Sequence, residues 1–560
     1  MKFNTPILFI LFLWQNGHAQ TIDLENVKDQ KPATLTGNLW AQSAFYDVSG
    51  IPARTNNFIW SMGANATLNL YENVSLPFAF TIGQYGNDFH RPTFGQFGVS
   101  PKYKWLTAHL GHRNMSLSSY SLNGHTFLGA GVEMNPGGFR FAAMYGRLRK
   151  ATETQPNLIS ILPTYRRTGY GLKIGYGWED TFFDLIAFKG KDDPMSVTGP
   201  DDFPTTPAEN LVLALNVKMQ FSKRVSGNLE LAGSAFTRNQ NALSLDPEDS
   251  LSVEKYLPAE IFKTNGSTKF NMAFKWDLRY ASKNFQIAFK HERIDPEYES
   301  MGTYFFLNDI RSNTLSPSFS LFQKRVNLSG SFGIQENNVL GNRGETTRRF
   351  IGNSTLAYNN PGKPFGASLN YSNFTINQSD GAIELSDTVR LSLVTTSVNL
   401  TPYWNWVDAS QTKSLVATAN YQELNDRNPF TREYTDMTTL FFTATYSLFY
   451  VPAGWGWNIG GNYNTIQVFG LDTERYGLSA GLNKNFANGK LNASLNGSYN
   501  LTTINGEGDG STWSLNGSAG WSATEKLNFS IYTNVLQNNS TQFDDYLEWM
   551  GGVQLGYAFR

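Results

Sequence analysis

The side chains of this chain that could do chemistry are few and poorly assembled. His90, His109, His112 and His125 fall close together, and imidazole is a good zinc ligand. His109 and His112 are three residues apart, however, and on a strand that spacing sends them to opposite faces, so no metal site is expected. Asp192, Asp193, Asp201 and Asp202 gather in one proline-bearing segment, and Asp246, Glu248 and Asp249 in another. Oxygen-rich loops suit calcium, but neither segment has EF-hand spacing, and both read as solvated loops. Serines are everywhere and no G-x-S-x-G singles one out, so no catalytic triad and no enzymatic activity are expected. With 0 cysteines, disulfides, thiol chemistry and Cys-held metals are excluded, and no cofactor is called for.

Two constellations stand out for placement instead of reactivity. Arg147, Arg149, Lys150, Arg166 and Arg167 bracket one polar segment, and Arg343, Arg348 and Arg349 lie in or beside another. Positive charge at a rim could pair with lipid phosphates or bias a pore toward anions. The other is the apolar run Tyr304-Phe305-Phe306-Leu307, which breaks the alternation around it and is followed by Pro317.

That alternation is what must position everything else. In 491–502 the odd residues are Leu491, Ala493, Leu495, Gly497, Tyr499 and Leu501, while the even ones are all Asn, Ser or Thr. Trp513 to Ser522 and Leu527 to Tyr532 repeat the pattern. Such segments have one oily and one wet face, and they are long enough to cross a bilayer at a tilt. The expected fold is all-β: a single large antiparallel transmembrane β-barrel of about 26 strands, or 24 if the strands near Phe97–Lys102 and Met301–Phe322 fail. Tight turns are expected at Asn135-Pro136-Gly137-Gly138, Ser222-Lys223-Arg224, Asn360-Pro361-Gly362 and Asn488-Gly489, the last as a type I′ turn. Long polar segments at 150–166, 191–209, 238–264, 338–346, 377–388 and 425–436 belong at the opposite end. In an outer-membrane barrel, short turns face the periplasm and long loops the outside.

The ends of the chain fit export. Lys2, the apolar stretch Ile7 to Trp14 and the small residues of Gly17-His18-Ala19 read as a signal peptide over 1–19, cleaved after Ala19. Residues 20–33 would be a short periplasmic tail, with the barrel spanning 34–560. No stretch is long and apolar enough for a membrane helix. Net charge is −1, so no nucleic-acid partner is indicated. Leu547, Trp549, Val553, Leu555, Tyr557 and Phe559 share a face just before the terminal Arg560. This strand resembles the aromatic-terminated last strand of bacterial outer-membrane β-barrel proteins. With the abundance of Asn, Phe and Tyr, it resembles the large Bacteroidota type, here without the N-terminal plug domain of TonB-dependent transporters. That resemblance implies residence in the bacterial outer membrane, among its lipids and lipopolysaccharide.

A ring of this size poses a physical problem, because barrels of 16 to 18 strands already enclose water. An inward element is expected near 296–324, with Tyr304, Phe305, Phe306 and Leu307 forming a pore constriction. The functional expectation is a porin-like or transport channel for polar solutes or a larger substrate. The alternative is a non-enzymatic barrel subunit of a secretion, assembly or uptake complex, with other outer-membrane or lipoprotein subunits filling or capping the lumen.

Overall fold

The computed structural model describes residues 22–23, 32–70, 74–83, 98–103, 105–152, 163–197, 205–243, 261–305, 307–381, 390–542 and 544–559. The expected signal peptide, most of the tail, His90, Asp201, Asp202, Asp246, Glu248, Asp249, Phe306 and Arg560 lie outside the described residues.

The strands begin with β1 (Ile22–Asp23), β2 (Ala33–Ser49), β3 (Phe58–Leu70), β4 (Val74–Gly83), β5 (Gly98–Val99), β6 (Pro101–Tyr103), β7 (Leu106–Ser116), β8 (Asn123–Met134) and β9 (Phe139–Arg149). They continue with β10 (Arg166–Trp178), β11 (Thr181–Asp193), β12 (Glu209–Ser222), β13 (Val225–Thr237), β14 (Thr268–Ala281), β15 (Phe285–Ile294), β16 (Ile310–Leu321), β17 (Val326–Glu336) and β18 (Glu345–Asn359). The last ten are β19 (Phe365–Asp380), β20 (Ser392–Val407), β21 (Gln411–Asp426), β22 (Met437–Tyr450), β23 (Trp455–Val468), β24 (Leu471–Phe486), β25 (Leu491–Ile504), β26 (Glu507–Ser522), β27 (Leu527–Ser540) and β28 (Tyr546–Phe559).

From β7 onward each strand pairs antiparallel with the next, and the sheet curls back on itself where β28 pairs with β2, Gly37 opposite Phe559 through Ser49 opposite Leu547. β2, β3 and β4 extend the wall, and β5 and β6 pair with β7. Among the described residues no ladder joins β4 to β5, so the seam of this barrel-like sheet lies there. Counting β5 and β6 as one strand interrupted at Ser100, the wall follows the 26 expected positions. One is displaced: the strand expected near 303 begins at Ile310. Pro317 is accommodated in β16 because the β16–β17 ladder lapses between Leu315 and Ser318, where no N–H is required of it.

Side-chain period 2 decides which face meets which medium. On β24 and β25 the outward residues are large and exposed, Leu478 (69%), Leu482, Leu495 and Tyr499 among them, and Tyr170, Leu172, Ile174 and Tyr176 (64%) repeat this on β10. A continuous apolar band is untenable in water and suited to lipid. Where it meets the short turns it becomes aromatic: Phe285 lies 4.9 Å from Phe319, Phe365 5.0 Å from Trp404 and Tyr450 5.0 Å from Trp455, centroid to centroid. That is the girdle expected at a membrane–water interface.

The two ends of the barrel differ. The described connections after β8, β10, β12, β14, β16, β18, β20, β22, β24 and β26 are all short, and they lie at the end where Gly37 meets Phe559. The turn at Asn488-Gly489 is not a two-residue type I′: positive φ falls on Ala487 (51°) and Gly489 (86°), within a 3-10 turn. That conformation appears instead at Asn505-Gly506 (52° and 80°), at the opposite end. The long connections share that opposite end. Residues 377–380, expected in a loop, are still strand in β19.

Candidate functional site: a lumen narrowed by two inward segments

The inner wall changes character around the ring. On β25 it is Asn492, Ser494, Asn496, Ser498 and Asn500, with Ser494 and Ser498 bonded to Ser518 and Ser514 of β26 at 2.8 Å. From β7 to β15 it carries charge in pairs. Arg140 grips Asp184 with two bonds, 2.7 and 2.9 Å. Lys275 meets Glu230 at 3.0 Å and Lys290 meets Glu292 at 2.6 Å.

Onto this charged arc two segments fold from the long-loop end. The first, 117–122 between β7 and β8, buries Leu117, Tyr120 and Leu122. Its Tyr120 N–H donates to Glu230 Oε1 at 3.2 Å and its hydroxyl to Glu292 Oε1 at 2.7 Å, and Lys275 Nζ sits 5.1 Å from the ring centroid. Burial, then the Glu292 charge, push the Tyr120 hydroxyl pKa far up, so it stays a donor. The second segment, 295–309 between β15 and β16, buries Tyr298 and Met301. Tyr298 donates to the Tyr120 carbonyl at 2.8 Å, and Ser300 Oγ to the Ser121 carbonyl at 2.5 Å. The two rings meet edge to face at 6.1 Å, a geometry worth about 0.5–1.5 kcal/mol beyond burial.

Asn210, fully buried on β12, pins the second segment to the wall. It accepts the Met301 N–H at 3.0 Å, donates to Ser234 Oγ at 2.8 Å, and reaches the Ala235 and Glu299 carbonyls at 3.0 and 3.4 Å. Glycine makes room. A Cβ at Gly171 would meet Leu117 Cδ1 at 2.8 Å, and one at Gly190 would meet Met301 Cβ at 2.6 Å. Glycine at alternate positions of β10, Gly169, Gly171, Gly175 and Gly177, was the available sequence signal that another part of the chain approaches this wall. Tyr120, Tyr298, Asn210, Glu230, Lys275 and Glu292 carry no such signal, because nothing local marks contacts among wall and inward segments that span 89 to 178 positions.

The expected inward element therefore lies at 295–309; residues 310–321 of the expected 296–324 stretch are wall. Its apolar run is not the buried part: Tyr304 and Phe305 are 70% and 81% exposed and Leu307 is half-exposed. Tyr304 is nonetheless fixed, its hydroxyl accepting the Thr126 N–H at 2.9 Å and its ring stacked on His125 at 4.1 Å. Together with Ser119, Tyr120, Asn123, Glu292, Ile294, Thr303, Ile310 and Gln335 these residues line a cleft of about 510 Å³.

The expected basic rim is divided. Arg149 and Arg167 converge on the buried Asp192, Arg167 with bonds of 2.8 and 3.0 Å and Arg149 with 3.3 and 3.4 Å. The change of register between Arg167 and Thr168 makes this possible, since it brings Arg149 to the same face as Arg167. Arg166 pairs with Asp193, Arg147 opposes Thr168 across the β9–β10 ladder, and Lys150 follows β9. Asp192 and Asp193 are thus strand residues partnered by arginine, not solvated loop acids. Arg343 reaches Asp309 at 2.9 Å and Arg348 reaches Glu336 at 3.4 Å. His109 is buried against Ser100 at 2.8 Å, with Glu133 3.9 Å away. Among the described residues no three metal-binding side chains cluster.

Fold and lumen together define a large antiparallel transmembrane β-barrel with loop segments folded into its interior. No protein-family model matches this chain, and neither does any curated protein. Among solved structures it is similar to OccK9 (OpdG) of Pseudomonas aeruginosa, at 11% identity over 70% of this chain and 98% of that one, with a TM-score of 0.30. It is similar to OprD of the same organism at 12% identity over 68% and 96%, TM-score 0.30. The P pilus usher (PapC) translocation pore overlaps 94% of this chain and 100% of its own at 12% identity, TM-score 0.39. Overlaps this remote carry no residue role or substrate across.

Proposed function

We propose that this protein is a porin-like channel of the bacterial outer membrane, of the Bacteroidota type, that passes polar solutes. The observation that carries the reading is the lumen itself: one arc is lined by Asn, Ser and Thr, and the other is covered by two pinned segments. Twenty-six strands spaced about 4.8 Å and tilted roughly 40° would enclose a ring roughly 50 Å across. An unobstructed hole of that width would discriminate among few solutes. Segments 117–122 and 295–309 narrow it near the long-loop end, with Tyr304, Phe305 and Leu307 on the surface they present to the remaining opening. The long-loop end faces outside, where Arg147, Lys150 and Arg166 lie within reach of lipopolysaccharide phosphates. The chain does no chemistry on its solute.

Reconstitution of the full chain in planar bilayers tests this, with stepwise ion conductance expected. A chain that folds into the bilayer but never conducts would overturn it and leave a barrel subunit closed by lipoprotein or outer-membrane partners. Because the chain has no cysteine, orientation can be read separately: Leu340→Cys should react with an impermeant maleimide on intact cells, and Ala453→Cys only after permeabilisation.

A further inference from the structure

The cleft between the inward segments and the wall has a chemistry of its own. Phe305 and Tyr304 are among the most exposed large side chains of the described barrel, yet they stand on a lumen segment, away from the lipid-facing surface that explains most of the other exposed rings. Leaving a ring of this size in water forfeits about 1.5–3 kcal/mol of burial, so the arrangement is costly without an occupant. Tyr304 is held by Thr126 and His125, which presents a rigid platform at little entropic cost on binding. Around the rings stand hydroxyl and amide groups, Ser119, Asn123, Thr303 and Gln335. The one carboxylate on the lining, Glu292, is neutralised by Lys290 at 2.6 Å. Apolar ring faces beside uncharged donors and acceptors, in a volume typical of small-molecule pockets, match a solute with apolar C–H faces and equatorial hydroxyls.

We propose that this cleft is a binding subsite for a neutral carbohydrate of one or two hexose units, which stacks on Phe305 and Tyr304 while its hydroxyls bond to Asn123, Thr303 and Gln335. The proposal rests on the channel reading and names the class of solute the constriction selects. Arg349, which donates to Gln335 Oε1 at 3.3 Å, is the group that would favour an aromatic carboxylate instead.

The test is calorimetric titration of maltose into the full chain, folded in a detergent without a sugar headgroup, beside current recordings in planar bilayers. Saturable maltose binding is expected, weakened roughly fivefold in Phe305→Ala. It should be unchanged in Phe322→Ala, which removes an equally exposed ring from the short turn after β16 at the far end. In bilayers maltose should interrupt the current of the unmodified chain and barely that of Phe305→Ala. Absent maltose binding, binding indifferent to Phe305→Ala, or saturable binding of phenylacetate in its place would each overturn the subsite. Conductance without maltose binding refutes the subsite alone. Maltose binding weakened in Phe305→Ala, in a chain that never conducts, supports the subsite and refutes the channel.

Discussion

The Tyr120 hydroxyl donates to Glu292 Oε1 at 2.7 Å, tying the tip of one inward segment to the strand from which the other departs. Glu292 is two residues before the end of β15, and 295–309 follows directly. The two segments are thus anchored as a unit, with the Tyr298–Tyr120 contact as their mutual seam. Tyr120→Phe removes only the donor. A hydrogen bond to a charged group contributes about 1.5–3 kcal/mol, so the variant should unfold at lower denaturant concentration in micelles and show noisier open-channel current. An unchanged unfolding midpoint together with unchanged current noise would mean the segments are held by other contacts.

The 295–309 segment is removable without cutting the wall, because Ile294 and Ile310 face each other across the β15–β16 ladder. Replacing 296–308 by Asn-Gly should leave a closed hairpin and a wider lumen. Single-channel conductance is expected to rise severalfold, and cells should become sensitive to large antibiotics. Conductance equal to that of the full chain, in a variant that still folds, would show that the segment does not limit passage. A deletion reaching into 310–315 is a poor test, since it removes half of β16.

The faces of β25 make opposite demands. Leu495 is outward and half-exposed, while Asn496 points inward, close to Gly481 and Asn458. Leu495→Arg should cost about 2–4 kcal/mol in a liposome folding assay if it lies near the midplane, and Asn496→Arg much less. Equal penalties would contradict the assignment of lipid and water.

A pH dependence is built into the inward segment. Burial raises the Glu299 carboxyl above the usual carboxylate range, partly opposed by Arg238. A carboxyl whose folded value is raised binds its proton more tightly when folded. Its contribution is therefore fully present below the unfolded pKa and is lost as pH rises through the folded value. Hydrogen exchange at Met301 and Gly302 should accordingly exceed its intrinsic pH trend as pH climbs through the mildly acidic range. In Glu299→Gln that excess should vanish, and its persistence there would assign the effect to another group.

Strand existence, length and facing were legible from the amino acids alone, because period 2 in hydrophobicity is local: Leu491 to Thr502 says which side is wet without reference to any neighbour. Short turns were legible as sites for the same reason, although the conformation at Ala487 to Gly489 was not, since it depends on how the flanking strands close on it. An inward element in the 296–324 stretch was legible from a local defect in the alternation, the run Tyr304 to Leu307. What that run does was decided by tertiary structure. Its rings stay exposed, and burial falls to Tyr298 and Met301, because Tyr120 on the first segment and Asn210 and Gly190 on other strands offer hydrogen bonds and space there. The basic residues followed the same logic. Arg149 and Arg167 read as rim charge in sequence, yet a one-residue register change and a buried Asp192 across two ladders turn them into wall. Facing is set by neighbours one and two residues away, whereas partnership is set by the closing of the sheet. Only the folded barrel brings those distant strands together.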